Sequence, residues 1–111
     1  MILMTAPMER LKEKLTKEVL WLYILSLLKE RPMYAYELKS RIREKFGFEP
    51  ATVSSYVVLY KLEKDGYVTS KWQESETGKP SRKYYELTEK GRKLLEEGIN
   101  FIENTLEKLK S

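Results

Sequence analysis

The sequence predicts a mainly helical protein that carries one β-hairpin. Two short helical segments follow each other between residues 31 and 66, and a basic, turn-rich segment then separates two runs of strand-forming residues. A long C-terminal segment repeats apolar residues at helical spacing. A chain of 111 residues fits one small domain, and a domain of this size buries only a modest share of its surface. We therefore expect an additional interface, most simply with a second copy of the chain.

The composition excludes most enzyme classes. The chain contains no cysteine and no histidine, which removes disulfides, thiolate metal sites, cysteine nucleophiles and the usual acid/base group at neutral pH. We expect no catalytic activity, no metal site and no cofactor. The most apolar run, residues 19–28, is about half as long as a membrane-spanning helix. We therefore expect a cytoplasmic protein without a membrane segment.

The formal net charge is +4, and residues 31–86 carry most of the surplus, with 11 basic and 8 acidic side chains. A surplus of this size permits contact with an anionic partner but does not demonstrate one. Any such contact is expected in the middle of the chain.

A first helix is predicted from about residue 8 to Glu30, because Pro32 stops a helix shortly afterwards. Apolar side chains repeat along one side of this segment. They are Leu11, Leu15, Leu22 and Leu25.

Two further helices are predicted before the hairpin. The second covers residues 36–45, with Gly47 placed to cap its end. The third begins between Pro50 and Thr52 and ends at Gly66. Its front half is rich in valine, which favours strands, so a strand over residues 53–60 is the alternative.

The hairpin is predicted from strands over residues 67–73 and 83–87, joined by the turn residues between them. Lys79, Arg82 and Lys83 lie within five residues without an acidic neighbour. Their charges can gather on one hairpin and displace counterions from nucleic acid. With Ser81 they form the candidate phosphate contacts, and the alternative is an ordinary solvated turn.

The last helix is predicted from Thr88, as its N-cap, to Lys110. Its apolar residues are spaced 4, 3, 4 and 3, the repeat of a coiled-coil seam. They are Leu95, Ile99, Ile102, Leu106 and Leu109.

The front of the third helix is the candidate for reading base edges, because short and hydroxylated side chains both donate and accept hydrogen bonds. These residues are Thr52, Ser54, Ser55 and Tyr56. Lys61 further along, and Tyr36 and Lys39 on the second helix, are candidate phosphate contacts. The alternative for each is a solvated or half-buried helix surface.

Several short motifs follow one another in a fixed order. They are Tyr36-Glu37-Leu38, then Tyr56, Leu59 and Leu62-Glu63, then Gly66, Gly78-Lys79-Pro80, Arg82-Lys83-Tyr84-Tyr85, Leu87-Thr88 and Gly91. In this order the sequence resembles the PadR family of winged-helix transcriptional regulators over roughly residues 20–95. Ala35, Ser55 and Val57 stand where that pattern has a glycine, an apolar residue and a proline.

The resemblance implies a mainly α fold with a small β-hairpin wing: a winged helix-turn-helix with a long C-terminal dimerisation helix. Residues 1–87 would form the DNA-binding part and residues 88–111 the dimerisation helix of one compact unit. It also implies a homodimer built from the first and last helices, with Leu11 and Leu15 beside the C-terminal seam.

By the same resemblance the partner is double-stranded DNA with a palindromic operator, and the expected activity is repression. Trp21 and Phe101 are candidates for a small-molecule effector pocket at the dimer centre; the alternative is that these aromatic residues belong to the core. A second hypothesis is a protein-interaction adaptor with little affinity for DNA, because winged helices serve that role as well.

Overall fold

The computed structural model describes residues 6–74, 78 and 80–111. Within these residues the chain forms five α-helices and a small antiparallel sheet of three strands. The elements in chain order are α1 (Pro7–Lys14), α2 (Leu20–Leu28), β1 (Met33–Tyr34), α3 (Ala35–Phe46), α4 (Thr52–Lys64), β2 (Val68–Gln73), β3 (Arg82–Leu87) and α5 (Glu89–Lys110). This arrangement confirms the predicted fold class of helices with a small wing.

Helix α2 lies at the centre of the core, because it packs against α3, α4, α5 and β3. It is apolar along its whole length apart from Ser26. Every other packed element contributes one to three buried side chains to the same cluster. The cluster consists of Leu20, Ile24, Leu25, Leu27, Leu28, Met33, Ala35, Leu38, Ile42, Leu59, Leu62, Val68, Tyr85 and Leu95.

The single first helix predicted to Glu30 was wrong, because the chain turns between α1 and α2. Thr16 leaves helical geometry, and its hydroxyl donates to the carbonyl of Lys12 at 2.6 Å. The hydroxyl of Tyr23 donates to the carbonyl of Leu15, which α1 leaves without a helical partner. Side-chain hydrogen bonds of this kind compete with helix continuation.

The predicted α3 and α4 are confirmed, and the strand alternative for residues 53–60 is wrong. Gly47 ends α3 at φ 78° and Gly66 follows α4 at φ 83°, the left-handed geometry that favours glycine. Leu59 and Leu62 of α4 are buried, as expected. Burial of this face stabilises a helix whose valines give it little intrinsic propensity.

The sheet has the order β1-β3-β2, with both pairs antiparallel. The hairpin β2–β3 was predicted, and its register pairs Val68 with Leu87 and Gln73 with Arg82. Strand β1 was not predicted. It is only two residues long and pairs with Tyr84 and Tyr85, about fifty positions away, so local sequence gives no period from which to recognise it.

The start of α5 is fixed to the end of α4 by Thr88. Its hydroxyl oxygen accepts from the Gly91 amide at 3.0 Å, which confirms the predicted N-cap. The same hydroxyl lies within donating distance of the carbonyls of Gly66 and Tyr67. Gly91 is buried against Tyr67. The turn before the wing and the base of α5 therefore form one rigid joint.

The predicted seam on α5 divides into two parts. Leu95 is only 2% exposed and belongs to the core of its own chain, so its assignment to an intermolecular seam is corrected. It lies beside α2 at the base of α5, where the helix is still covered. The remaining seam residues are exposed: Ile99, Ile102, Leu106 and Leu109. Leu11 on α1 and Leu15 at its end are exposed as well.

Among the described residues, no helix combines the length and apolarity that a bilayer crossing needs. The same part of the chain contains no group of three acidic side chains arranged to hold a metal ion.

Candidate nucleic-acid interface

A cleft of about 280 Å³ lies between the first turns of α3 and α4 and the wing. It brings together five of the residues singled out from the sequence, although they lie far apart in the chain. They are Tyr36, Tyr56, Ser81, Arg82 and Lys83. Tyr36 and Tyr56 present their rings to solvent, and Arg82 lies at the exposed rim. The cleft therefore combines aromatic surface with positive charge.

Ser55 does not belong to this exposed surface, contrary to the prediction. It is 6% exposed, and its hydroxyl donates to the carbonyl of Ala51 in its own helix at 3.0 Å. It lies on the same side of α4 as Leu59 and Leu62. Its hydroxyl is consumed within the fold, so it is not available to a base edge.

Lys39 and Thr52 connect the two helices. The Lys39 ammonium group donates to the Thr52 hydroxyl at 2.8 Å, across the junction between α3 and α4. These two residues, with Tyr36 and Tyr56, also line a smaller cavity of about 40 Å³. Both groups are accessible to an approaching anion, but in the free protein each has the other as its hydrogen-bond partner.

Ser54 and Lys61, two further residues predicted to contact DNA, are exposed on α4.

The wing cations have different surroundings. The guanidinium of Arg82 lies 4.5 Å from the ring centre of Tyr34, and this cation–π contact holds it on the outer face of the sheet. Lys83 pairs instead with Glu63 of α4, at 3.6 Å between charged atoms. Lys79 lies outside the described residues. Of these two cations Arg82 is the exposed one, whereas Lys83 contributes to the structure of the wing.

Glu63 connects the wing to α4 through two contacts, because its carboxylate also accepts a hydrogen bond from Ser70 of β2. Replacing Glu63 by Ala is expected to lower the free energy of unfolding by about 2 kcal/mol, since both contacts are lost. Glu63→Gln keeps an acceptor for Ser70 and loses only the charge of the Lys83 pair, so its loss should be about half as large. Urea denaturation of the wild type and the two variants measures these losses. Equal midpoints for all three would show that Glu63 does not stabilise the wing.

The protein family of this chain is identified by its similarity to known proteins. The sequence model described as the transcriptional regulator PadR-like family matches residues 24–97. The chain belongs to this family. The resemblance seen in the sequence is therefore confirmed, and the family is one of transcriptional regulators, proteins that are generally not enzymes.

Solved structures agree with this PadR-like assignment. A transcriptional regulator from Clostridium thermocellum is 33% identical, with a TM-score of 0.72 over 81% of this chain and 88% of that chain. A PadR family regulator from Eggerthella lenta is 25% identical, with a TM-score of 0.80 over 92% and 88%. Bacillus subtilis PadR in complex with operator DNA is 29% identical, with a TM-score of 0.67 over 73% of this chain and 47% of that chain. A search of curated proteins found no match.

Sequence reasoning missed several exposed side chains of the PadR-like surface. Trp72 of β2 lies at the cleft and is largely exposed. Val53, Val57 and Tyr60 point to solvent from α4. The signal was available, because they repeat at helical spacing opposite Leu59 and Leu62.

The outer face of the wing sheet forms a wide groove of about 740 Å³. The rings of Tyr34 and Tyr84 meet edge to face there, with Arg82 above the first. Next to it the Arg31 guanidinium pairs with Glu37 on α3. Hydrogen bonding to Glu37 is the main cause that raises the pKa of Arg31. This ion pair holds the chain just before β1 against α3.

Trp21 and Phe101, the candidate effector-pocket residues, differ in exposure. Trp21 is partly buried and packs against the core, with its ring next to Gly98 of α5. Phe101 is exposed one turn further along the same helix. The core alternative therefore describes Trp21, whereas the effector pocket stays a prediction.

Proposed function

We propose that this PadR-like regulator is a homodimeric, sequence-specific DNA-binding protein that represses transcription. In this proposal α4 enters the major groove and the wing contacts neighbouring phosphates. A helix fits the major groove, where each base pair presents a distinct pattern of hydrogen-bonding groups and methyls. Cations on the wing supply affinity that does not depend on sequence.

The observation that carries the proposal is the cleft between α3, α4 and the wing. Tyr36, Tyr56 and Arg82 come from three elements and converge on it. A helix face beside a cationic hairpin is the arrangement that divides base reading from phosphate anchoring. The operator complex of Bacillus subtilis PadR, a structure with the same fold, supports the assignment of duplex DNA as the ligand.

The proposed dimer joins the exposed seam of α5, together with Leu11 and Leu15, to the same surface of a second copy. A two-fold symmetric protein matches a palindromic operator, because each half-site meets one recognition helix. Residues 1–87 would then bind DNA and residues 88–111 would hold the dimer together. We propose repression because a dimer bound to promoter DNA would block the polymerase. We also propose that the protein acts in the cytoplasm.

The wing part of the proposal is tested by Lys79→Ala with Arg82→Ala in one protein. Removal of two phosphate contacts should lower the slope of log affinity against log salt by about 0.9 for each contact, and should weaken binding to every duplex similarly. Fluorescence anisotropy titrations at several salt concentrations measure this slope. The matched control is Lys108→Ala with Lys110→Ala, which removes the same charge from the end of α5. An unchanged slope in the wing variant would exclude the wing from DNA contact.

The exposed apolar seam on α5 favours one other function, an adaptor that binds a second polypeptide. An adaptor is expected to be a monomer in isolation and to have little affinity for DNA at physiological salt. Sedimentation of the isolated chain distinguishes the adaptor from the regulator, because the regulator is expected to sediment as a dimer.

An effector that binds in a pocket near Trp21 and Phe101 would need different affinities for two conformers of the proposed dimer.

A further inference from the structure

One exposed stripe of α4 is largely apolar, although a helix side that contacts only water is usually polar. Val53 is 75% exposed, Val57 53% and Tyr60 67%. They are separated by four and three positions, which places them on one side of the helix. The opposite side carries the buried Ser55, Leu59 and Leu62. The helix thus has a second, largely apolar stripe that the described part of the chain leaves exposed.

The charges around this stripe favour an anionic partner. The only acidic residue of α4 is Glu63, and its carboxylate is turned to the wing, where Ser70 and Lys83 contact it. Lys61 and Lys64 are exposed at the C-terminal end of the helix. The face therefore has an apolar front and a cationic end. This combination suits the major groove, where apolar base methyls lie between two rows of phosphates.

We propose that Val53 and Val57 read thymine methyl groups, so that the operator half-site carries A·T pairs beneath them. This inference rests on the proposed function of α4 as the recognition helix. The thymine methyl is the apolar group that the major groove presents. A valine side chain has no donor or acceptor, so over cytosine or guanine it would bury a polar edge group without a partner. Over thymine it buries a methyl instead.

The spacing of the two valines limits where the thymines lie. Four residues of helix advance by about 6 Å, and successive base pairs are about 3.4 Å apart. A helix that lies along the groove would therefore place Val53 and Val57 over base pairs one or two steps apart. The hydroxyls of Tyr56 and Tyr60 remain free to hydrogen-bond at the flanks, since both side chains are exposed on the same helix.

The test begins with selection of binding sequences from a random pool of DNA duplexes by the purified wild-type protein. Each thymine of the selected duplex is then replaced by deoxyuridine, which removes the methyl and keeps the hydrogen-bonding groups. Removal of one buried methyl should raise Kd about fourfold, from the usual value of apolar transfer. The salt slope should stay unchanged, because no phosphate contact is lost. Deoxyuridine placed outside the half-sites should have no effect.

The variants Val53→Ala and Val57→Ala test which valine contacts which thymine methyl. Both side chains are exposed, so the fold should be unaffected, and each variant should lose the response to deoxyuridine at one position in each half-site. A selected site that lacks these thymines, or wild-type binding that ignores the methyls, would overturn the inference and leave specific DNA binding intact. A pool that yields no enriched sequence would overturn the proposed function itself, and this inference with it.

Discussion

Replacing Gly91 by Ala is expected to destabilise the fold by about 3 kcal/mol, because overpacking against a rigid backbone cannot relax. A Cβ on this residue would lie 2.1 Å from the carbonyl oxygen of Tyr67 and 2.8 Å from a methyl of Leu87. The Tyr67 carbonyl is held by Thr88, which caps the same helix. For a domain of this size the loss corresponds to a fall in Tm of roughly 15 °C, measured by thermal unfolding followed by circular dichroism.

The matched control is Gly98→Ala, in the same helix. The nearest atoms to its added Cβ belong to the side chains of Leu22, at 2.9 Å, and Trp21, at 3.1 Å, and side chains shift more readily than backbone. The alanine also gains helix propensity of about 1 kcal/mol. Its Tm should therefore stay within a few degrees of the wild type. Similar Tm values for both variants would contradict the close contact at Gly91.

Replacing Ile102 by Glu is expected to convert the dimer to a monomer and to weaken binding to a palindromic duplex at least about 100-fold. The charge would lie in the apolar seam that we propose as the interface, where it has no partner. A monomer loses the gain in affinity that comes from linking two half-site contacts. Because Ile102 is exposed within one chain, the monomer itself should stay folded. Sedimentation velocity gives the mass, and anisotropy gives the affinity.

Asn104→Glu is the control for this substitution, since Asn104 is exposed on the side of α5 away from the seam. It adds the same charge and should leave both the mass and the affinity unchanged. A dimer that survives Ile102→Glu would show that the chains meet elsewhere.

The elements that could be predicted from the sequence are those whose signals are local. Gly47, Gly66 and Thr88 lie where a cap is needed, and each ends or begins its helix as expected. Strand β1 and the break at Thr16 could not be predicted in this way. The first depends on pairing with a strand far along the chain, and the second in part on the hydrogen bond from Tyr23 to Leu15, which forms only when α2 folds back on α1.

The candidate site shows a different limit, because residue type does not give the orientation of a side chain on a helix. Ser55 was selected as a hydroxyl and is buried, whereas Val53 was passed over as apolar and is among the most exposed side chains of α4. Orientation follows from which neighbours pack on the helix. Leu95 illustrates the same limit on α5, where one repeat includes both core and exposed positions.

Sequence-specific binding to DNA is tested most directly by a fluorescence anisotropy titration of the wild-type protein with two labelled duplexes at two salt concentrations. One duplex carries the selected palindrome and the other is a scrambled sequence of equal length. We expect saturation at two chains per palindrome and a preference for the palindrome that persists at the higher salt. Equal and steeply salt-dependent binding to both duplexes, or no binding at all, would contradict a sequence-specific regulator.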